Sequence, residues 1–165
     1  MFGNPLIDAL VFIFPAYCAN AAPVIFGGGS PLDNGRFSWD GKPIFGSHKT
    51  VRGFVSGLIV GTLAGFGLSL LNIDYSVLLG FVVSLGALLG DLAEAFVKRR
   101  LGIPPGAPFP VADQLDFVVG ALLFSLLISP PPSWQVAVVV VLVTPPIHLL
   151  TNLLAYRMGV KKEPW

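Results

Sequence analysis

Charged side chains are scarce in this sequence. Only 12% of its 165 residues are Asp, Glu, Lys or Arg, whereas about a quarter is usual for a soluble domain. Hydrophobic residues make up 54% of the chain, and they form runs long enough to cross a bilayer. The scarcity of charge therefore argues against a soluble globular protein and predicts an integral membrane protein.

Cysteine is almost absent. The single Cys18 lies in an apolar run, which excludes an intramolecular disulfide framework and a cysteine metal site. The N-terminus lacks the basic residues that open a cleavable signal peptide, and its apolar stretch carries Asp8 and Asn20. We therefore expect one membrane domain over residues 1–165, and we expect no nucleic-acid partner.

Five apolar segments account for most of the chain, each close to the ~20 residues that a transmembrane helix requires. We predict an all-α, polytopic membrane fold with helices at about 5–26, 51–71, 77–99, 113–129 and 133–156. Two polar loops, 27–50 and 100–112, lie between them. In the first loop, FSWDGKPIF predicts a short hairpin that turns at Asp40-Gly41.

The basic residues predict how the helices are oriented. With five spans, the two polar loops and the C-terminus lie on the same side of the membrane. All ten Lys and Arg residues fall in or beside these three regions: Arg36, Lys42, Lys49, Arg52, Lys98, Arg99, Arg100, Arg157, Lys161 and Lys162. By the positive-inside rule this side is cytoplasmic, and the N-terminus lies outside the cell membrane.

Glycines recur every four residues in the second segment, at Gly53, Gly57, Gly61 and Gly65. They lie on one helical face, and small residues at this spacing let helix backbones approach closely in a bilayer. We expect this face to serve packing. It also permits a homodimer without requiring one.

The most unusual stretch is GDLAEAFVKRRLGIPPGAPFPVADQLDF, residues 90–117. It places Asp91 and Lys98–Arg100 at the end of the third segment, and Asp113 and Asp116 at the start of the fourth. Asp91 would lie about 12 Å along the helix from the middle of these cations, at ~1.5 Å per residue. If the cations mark the membrane boundary, Asp91 lies inside the hydrocarbon. An ionisable group at that depth is costly and indicates a functional site.

Taken singly, these charges have ordinary structural interpretations. Asp113 with an acid three residues later resembles an N-terminal capping box, and Lys98–Arg100 are typical of snorkelling cations that anchor a span. Neither interpretation explains Asp91. Together, Asp91, Asp113 and Asp116 converge on one membrane face and predict a site for hard divalent cations, which prefer oxygen ligands.

The combination GDL…KRRLG…G.P…DQLDF resembles the signature of the archaeal CDP-archaeol synthases, membrane enzymes distantly related to the CDP-diacylglycerol synthases. YCANAAP in the first segment and DNGRFSWDGKPIFGSHKTVRG in the first loop extend the resemblance over nearly the whole chain. Two positions depart from the pattern. Ala95 stands where a serine is expected, and Ser47 stands where an acid before His-Lys-Thr is common.

The resemblance implies a CTP-dependent cytidylyltransferase of archaeal phospholipid biosynthesis. Its substrates would be CTP and a prenylated glycerol phosphate, 2,3-bis-O-(geranylgeranyl)-sn-glycerol 1-phosphate, and its products CDP-archaeol and pyrophosphate. The lipid phosphate is already ionised at neutral pH, so it would attack the α-phosphorus of CTP without a general base. The barrier would be electrostatic, and Mg²⁺, expected as two ions, would offset it.

The resemblance also implies roles for individual residues. Asp91, Asp113 and Asp116 would bind Mg²⁺ and would form the catalytic set together with Lys98. The predicted contacts to the CTP phosphates or the lipid phosphate are Asn20, Lys49, Thr50, Arg52, Lys98 and Arg99. The entry to the second helix, at Lys49–Arg52, is an anion site on physical grounds as well, because it combines a helix N-terminus with adjacent cations.

Three polar residues beside prolines have a structural alternative. Asn20 lies between Pro15 and Pro23, so satisfying freed backbone groups of a kinked helix is as good an interpretation as a site role. His148 and Asn152 follow Pro145-Pro146 at a spacing of four. For this pair we expect the backbone role.

Two other classes are compatible with clustered aspartates in a membrane. A CDP-alcohol phosphotransferase requires DGxxAR followed by GxxxDxxxD, but Asp40-Gly41 lacks the Ala-Arg, and Asp113 and Asp116 are only three apart. A small transporter or ion-binding membrane protein would use broken helices and midplane carboxylates. No inverted repeat is visible, however, and the charges cluster at one face. The enzyme is therefore the favoured hypothesis.

Overall fold

The computed structural model describes residues 3–71, 75–128, 130–161 and 163, and it contains five α-helices. They are α1 (Pro5–Phe26), α2 (Val51–Leu70), α3 (Val77–Arg100), α4 (Ala112–Ser125) and α5 (Trp134–Arg157). The described part of the chain contains no β-strand, so the predicted all-α fold is confirmed. Predicted and observed bounds differ most at the end of α4, which stops at Ser125 because the chain tightens into a turn over 126–128; residue 129 lies outside the described residues.

Four of the helices, α1, α2, α3 and α5, are long and apolar enough to cross a membrane. The fourth in sequence, α4, has 14 residues, about 21 Å at ~1.5 Å per residue and less than the ~30 Å of hydrocarbon. The chain continues for another turn through Leu126–Ile128, where each N–H bonds to the carbonyl three residues earlier. Pro130 follows, and a helix usually ends at or before the residue that precedes a proline.

The central helix of the bundle is α1, which contacts each of the other four helices. Its buried face is largely alanine, so neighbouring helices approach it closely, and Phe12 and Ile13 supply the bulk. These residues join side chains from three other helices in one core: Val83 and Ala87 of α3, Phe117, Val118 and Ala121 of α4, and Val136 and Val140 of α5.

The glycine face of α2 is used inside the chain. Gly61 lies against the side chain of Ser84 in α3, and Gly65 lies directly on Gly80, where an added Cβ would come within 2.6 Å of the Gly80 Cα. The predicted packing role is confirmed. Because this face is already covered, it offers no support for a homodimer, which would have to use another surface.

Proline in α1 creates a second close approach to α2. Pro23 has no N–H, so the carbonyl of Ala19 lacks its helical donor. That carbonyl lies against Gly57, where the missing side chain leaves room for it. Asn20 does not satisfy the freed backbone, because its side chain makes no hydrogen bond among the described residues and lines a cavity instead.

The first loop contains the predicted chain reversal, here called the 37–43 hairpin. Phe37 and Pro43 form a single antiparallel bridge. Between them the N–H of Ser38 donates to the carbonyl of Lys42 at 2.8 Å, and the N–H of Gly41 donates to the carbonyl of Ser38 at 3.0 Å. The turn therefore includes Asp40-Gly41, but one bridge does not make a strand pair.

We expect Gly65→Ala to destabilise the fold and Gly67→Ala to leave it intact. The added methyl group at position 65 would press on Gly80, and overpacking of this kind costs about 1–3 kcal/mol. A Cβ at position 67 meets nothing within 4 Å. Thermal unfolding of the detergent-solubilised protein should show a lower Tm for Gly65→Ala alone, and equal Tm values would contradict the packing.

Candidate active site

A large cavity opens at the end of the bundle where α2 begins and α3 ends. Its volume is about 830 Å³, within the range of ~300–1,000 Å³ that is typical of ligand pockets. Side chains from all five helices and both loops line it. Its polar wall includes Asn20, His48, Lys49, Thr50, Asp91, Glu94, Lys98, Arg99, Asp113, Asp116, His148 and Asn152.

Lys49, at the end of the first loop, reaches a carboxylate in the middle of α3. Its Nζ donates to Asp91 Oδ1 at 2.6 Å, and the two side chains are 26% and 25% exposed. Burial alone would lower the pKa of Lys49. The attraction of Asp91, with smaller contributions from Asp116 and Glu94, outweighs burial and raises this pKa above its ordinary value. Lys49 is therefore cationic at neutral pH.

The side chain of Lys98 in α3 forms a bond to α4. Its Nζ donates to Asp113 Oδ1 at 2.8 Å and lies 3.3 Å from Glu94 Oε1, one helical turn earlier. The residue is only 7% exposed, so the interpretation of Lys98 as a snorkelling anchor is wrong. In a buried arrangement of this kind, loss of one partner leaves an uncompensated charge.

Asp113 does not cap α4, and the capping-box interpretation is also wrong. Val111, with a φ of 70°, occupies the N-cap position, and its side chain makes no capping bond. Asp113 Oδ2 instead accepts from the N–H of Phe109 at 2.9 Å, and the carbonyl of Phe109 accepts from the N–H of Asp113 at 3.0 Å. The carboxylate thus ties the second loop to Lys98 rather than closing its own helix.

Two charged groups in the cavity wall form no ion pair within 4 Å among the described residues. Among the described residues, no Lys or Arg forms an ion pair with Asp116, whose Oδ1 accepts only from the N–H of Phe117. Arg99 is 6% exposed, and its Nε has no hydrogen-bond partner in the described part of the chain. A buried donor without an acceptor is costly, and an anion in the cavity would supply the missing acceptor.

The predicted metal ligands all line the cavity, but they do not form a ready-made metal site. In the described ranges, no group of three or more His, Cys, Asp and Glu side chains is arranged to hold a metal ion. Asp91 and Asp113 are bonded to lysines. Mg²⁺ is usually held by one or two carboxylates with substrate phosphates completing its shell. These carboxylates fit a Mg²⁺ ion bound in that way.

The fold brings some of the remaining predicted site residues to the cavity and leaves others outside it. Thr50 lines the cavity, but its Oγ1 accepts from the N–H of Gly53 at 3.1 Å and so caps α2. Arg52 is exposed and does not line the cavity, so the fold does not bring it to the site. His148 and Asn152 face the cavity and are hydrogen-bonded to each other, with 3.3 Å between Asn152 Nδ2 and His148 Nδ1. The expectation that they satisfy backbone groups is therefore wrong.

The sequence reasoning did not select Glu94, which adds a fourth carboxylate to the cavity wall. Its spacing indicates that it belongs to the site: Glu94 lies three residues after Asp91 and four before Lys98, and residues three and four apart share a helical face. Lys161 and Glu163 also line the cavity, but they follow the last helix, where no periodicity marks their orientation.

The first loop is organised around the buried carboxylate of Asp33. Its Oδ2 accepts from the N–H groups of Phe45 and Gly46 at 2.9 and 3.0 Å, and its Oδ1 accepts from Gly35 at 3.0 Å. Burial opposes ionisation, but these N–H groups stabilise the anion and hold the pKa of Asp33 below its ordinary value. Gly46 packs beside Arg99, so Asp33 fixes the loop over that guanidinium.

Taken together, the apolar helices and the cavity define a class: a multi-pass membrane protein with a charged cavity at one end of its helical bundle. Within that class the chain belongs to the CDP-archaeol synthase family. A sequence model described as CarS-like, CDP-archaeol synthase, matches residues 2–165.

Individual members of the family align with this chain over nearly their whole length. The CDP-archaeol synthase of Pyrococcus furiosus is 46% identical over 167 residues, covering 98% of this chain and 99% of the relative. That of Methanocaldococcus jannaschii is 40% identical over 178 residues and covers 100% of both chains. A solved structure of an intramembrane enzyme for archaeal membrane lipid biosynthesis superimposes with a TM-score of 0.84 at 38% identity, covering 89% of this chain and 94% of that one. The predicted family is confirmed.

We expect Asp33→Asn to lower stability at neutral pH and to matter less in acid. A depressed folded-state pKa contributes stability that is present above the unfolded value of about 3.9 and is lost as the pH falls through the folded value. The difference in Tm between wild type and Asp33→Asn should therefore shrink below about pH 4. A difference that stays constant into acid would assign the loss to packing instead.

Proposed function

We propose that this chain transfers CMP from CTP to 2,3-bis-O-(geranylgeranyl)-sn-glycerol 1-phosphate and releases pyrophosphate, giving CDP-archaeol. Membership of the family supports the reaction. The observation that carries its assignment to this cavity is Arg99, a buried guanidinium whose Nε has no partner among the described residues. It lines a cavity large enough for a nucleotide, and a phosphate oxygen would supply the missing acceptor.

The cations of the cavity wall would bind the triphosphate. Lys49, Lys98 and Arg99 come from the first loop and the end of α3, and all three line the same cavity. Two unit charges ~4 Å apart repel each other by ~4 kcal/mol at an effective dielectric of 20, so two phosphates approach each other only where positive charge is already in place. These three side chains would supply that charge to the incoming lipid phosphate and the departing pyrophosphate.

The carboxylates would hold Mg²⁺, which we expect as two ions. Asp91, Asp113 and Asp116 are the proposed ligands, together with phosphate oxygens of CTP. The chemistry that Mg²⁺ would supply there is neutralisation of phosphate charge. Asp116 supports this assignment because it forms no ion pair with a Lys or Arg in the described part of the chain, while Asp91 and Asp113 are oriented by their bonds to Lys49 and Lys98.

The lipid would enter from the bilayer between α1 and α5. Every buried residue of α5 precedes Pro145-Pro146, the last being Thr144, so the second half of this helix packs less closely on the core. There apolar side chains contribute to the cavity wall: Cys18, Ala21 and Ile25 from α1, and Ile147 and Ala155 from α5. The prenyl chains would stay among these side chains and the lipid tails, while the phosphate reaches the charged end.

We further propose five membrane spans, with the N-terminus outside and both polar loops in the cytoplasm, where CTP is available. The positive-inside rule supports this orientation, because all the Lys and Arg residues lie in or beside the two loops and the C-terminus. The shortest span would be α4, lengthened by the turn at Leu126–Ile128.

The orientation can be measured by labelling single cysteines in a Cys18→Ala background. Ser47→Cys lies in the first polar loop and Pro131→Cys in the connection before α5, and both positions are exposed. A membrane-impermeant maleimide should label Ser47→Cys only in inside-out vesicles and Pro131→Cys only in right-side-out vesicles. The reverse pattern would invert the proposed topology, and labelling of both from one side would remove a span.

The metal assignment predicts that Asp91→Asn and Asp116→Asn each lower kcat at least about a hundredfold, the usual scale for losing one electrostatic contact to the transition state. Mass spectrometry of the product from CTP, the prenylated glycerol phosphate and Mg²⁺ gives the rate. As a control, Asp8→Asn makes the same change in the first turn of α1, outside the cavity, and should retain activity. Near-normal rates for either cavity variant would falsify the metal assignment.

The same assay tests the function as a whole. Wild-type protein should release pyrophosphate only when both CTP and the lipid phosphate are present. If neither pyrophosphate nor a CDP-lipid forms, and the protein instead conducts cations across liposomes without CTP, the proposed reaction is wrong and the transporter hypothesis takes its place.

A further inference from the structure

We propose that Arg100 is a positioning residue, which clasps the 37–43 hairpin onto the end of α3 and thereby determines how tightly CTP binds. This inference rests on the proposed function of the cavity. Arg100 does not line the cavity, so it does not act by contacting the nucleotide. Its neighbour Arg99 does line the cavity, and the two arginines therefore have different tasks.

The 37–43 hairpin cannot hold its position by itself. It has one antiparallel bridge, and a two-stranded hairpin is at best marginally stable in water even when its pairing is longer. Its aromatic residues are largely exposed, Trp39 at 85% and Phe37 at 67%, so they contribute little burial. Contacts with another element must fix the hairpin.

Arg100 supplies most of these contacts through one side chain. Its Nε lies 2.8 Å from Asp40 Oδ2, and its Nη2 donates to the carbonyl of Pro43 at 2.5 Å. The guanidinium also lies 4.6 Å from the ring centre of Phe96 and 5.7 Å from that of Trp39. The side chain is 17% exposed, which shields these interactions from water.

A second bond runs in the opposite direction. The carbonyl of Arg100 belongs to the last turn of α3, where carbonyls lack helical donors. Lys42 of the hairpin donates to it through Nζ at 2.7 Å. A cation at the C-terminus of a helix is also favoured by the helix dipole. The hairpin and α3 thus each supply a cation that bonds to the other.

These contacts between Arg100 and the hairpin, here called the clasp, also position the segment of the first loop that covers the site. Three residues after Pro43, Gly46 packs beside the guanidinium of Arg99, and the same loop ends at Lys49, which is bonded to Asp91. Without the clasp, the bonds of this segment to Asp33 and the bond of Lys49 to Asp91 would remain, but the hairpin that leads into it would lose its main contacts with α3. The phosphate-binding groups of the loop would then be less well ordered, whereas the carboxylates on α3 and α4 would be unaffected.

Arginine is required for this clasp because its planar guanidinium forms an ion pair with Asp40 and donates a hydrogen bond to the Pro43 carbonyl while lying over the ring of Phe96. An ammonium group keeps the charge but cannot reproduce the fork. We therefore expect Arg100→Lys to raise the KM for CTP about tenfold, equivalent to about 1.4 kcal/mol. The kcat and the KM for the lipid should stay within about twofold of wild type, since the reacting groups remain in place.

Two further variants separate the clasp from general effects. Asp40→Asn should raise the KM for CTP in the same way, and combining it with Arg100→Lys should add little, because both changes remove one shared contact. Arg36→Lys makes the matched substitution at an exposed arginine beside the hairpin, whose side chain makes no hydrogen bond, ion pair or ring contact among the described residues. It should leave both kinetic constants and the Tm unchanged.

Several outcomes would overturn the proposal: an unchanged KM for CTP in Arg100→Lys, a fall in kcat at unchanged KM, or a drop in Tm that accounts for the whole loss of activity. Direct binding of CTP, measured by equilibrium dialysis, separates this proposal from the reaction itself. If wild type binds CTP but forms no CDP-lipid, the proposed function fails, while weaker binding by Arg100→Lys than by Arg36→Lys would still support the clasp.

Discussion

Charge can remain inside a membrane bundle only where it is compensated, and the bond of Lys98 to Asp113 and Glu94 is the compensation on which this structure depends. It crosses from α3 to α4 at 2.8 Å, and it fixes the second loop through the bonds of Asp113 to Phe109. Because each partner is costly to leave alone, the three residues hold two helices and one loop in a single arrangement.

Glycine makes that compensation geometrically possible. A lysine reaches across only if α3 and α4 lie close together, and Gly90 and Gly120 remove the side chains that would separate them: Gly90 lies on the backbone of Asp116 and Gly120 on the backbone of Gly86. Gly90 immediately precedes Asp91, so the residue that brings the helices together and the first residue of the charged cluster are neighbours in the chain.

Hydropathy predicted the helices well, because a membrane span needs a fixed length of apolar residues and leaves few alternatives. The site was predicted less completely, since its members depend on which way a side chain turns at a helix end. Arg52 belongs to the right segment but faces outward, Asp113 bonds backward to the second loop instead of capping, and Glu94 was passed over although it shares a face with Lys98. Spacing along a helix identifies such a face, but only the packing of both loops shows which residues it meets.

The two halves of α5 differ in how closely they pack on the core. Its first half belongs to the core, whereas no described residue beyond Thr144 is buried, so the wall beside α1 is the least constrained part of the cavity. If the lipid enters there as proposed, substitutions would alter the width of the hydrocarbon slot without moving the charged cluster. Chain length and branching of the lipid could then change between related proteins, or be changed by design, while the phosphate chemistry stayed the same.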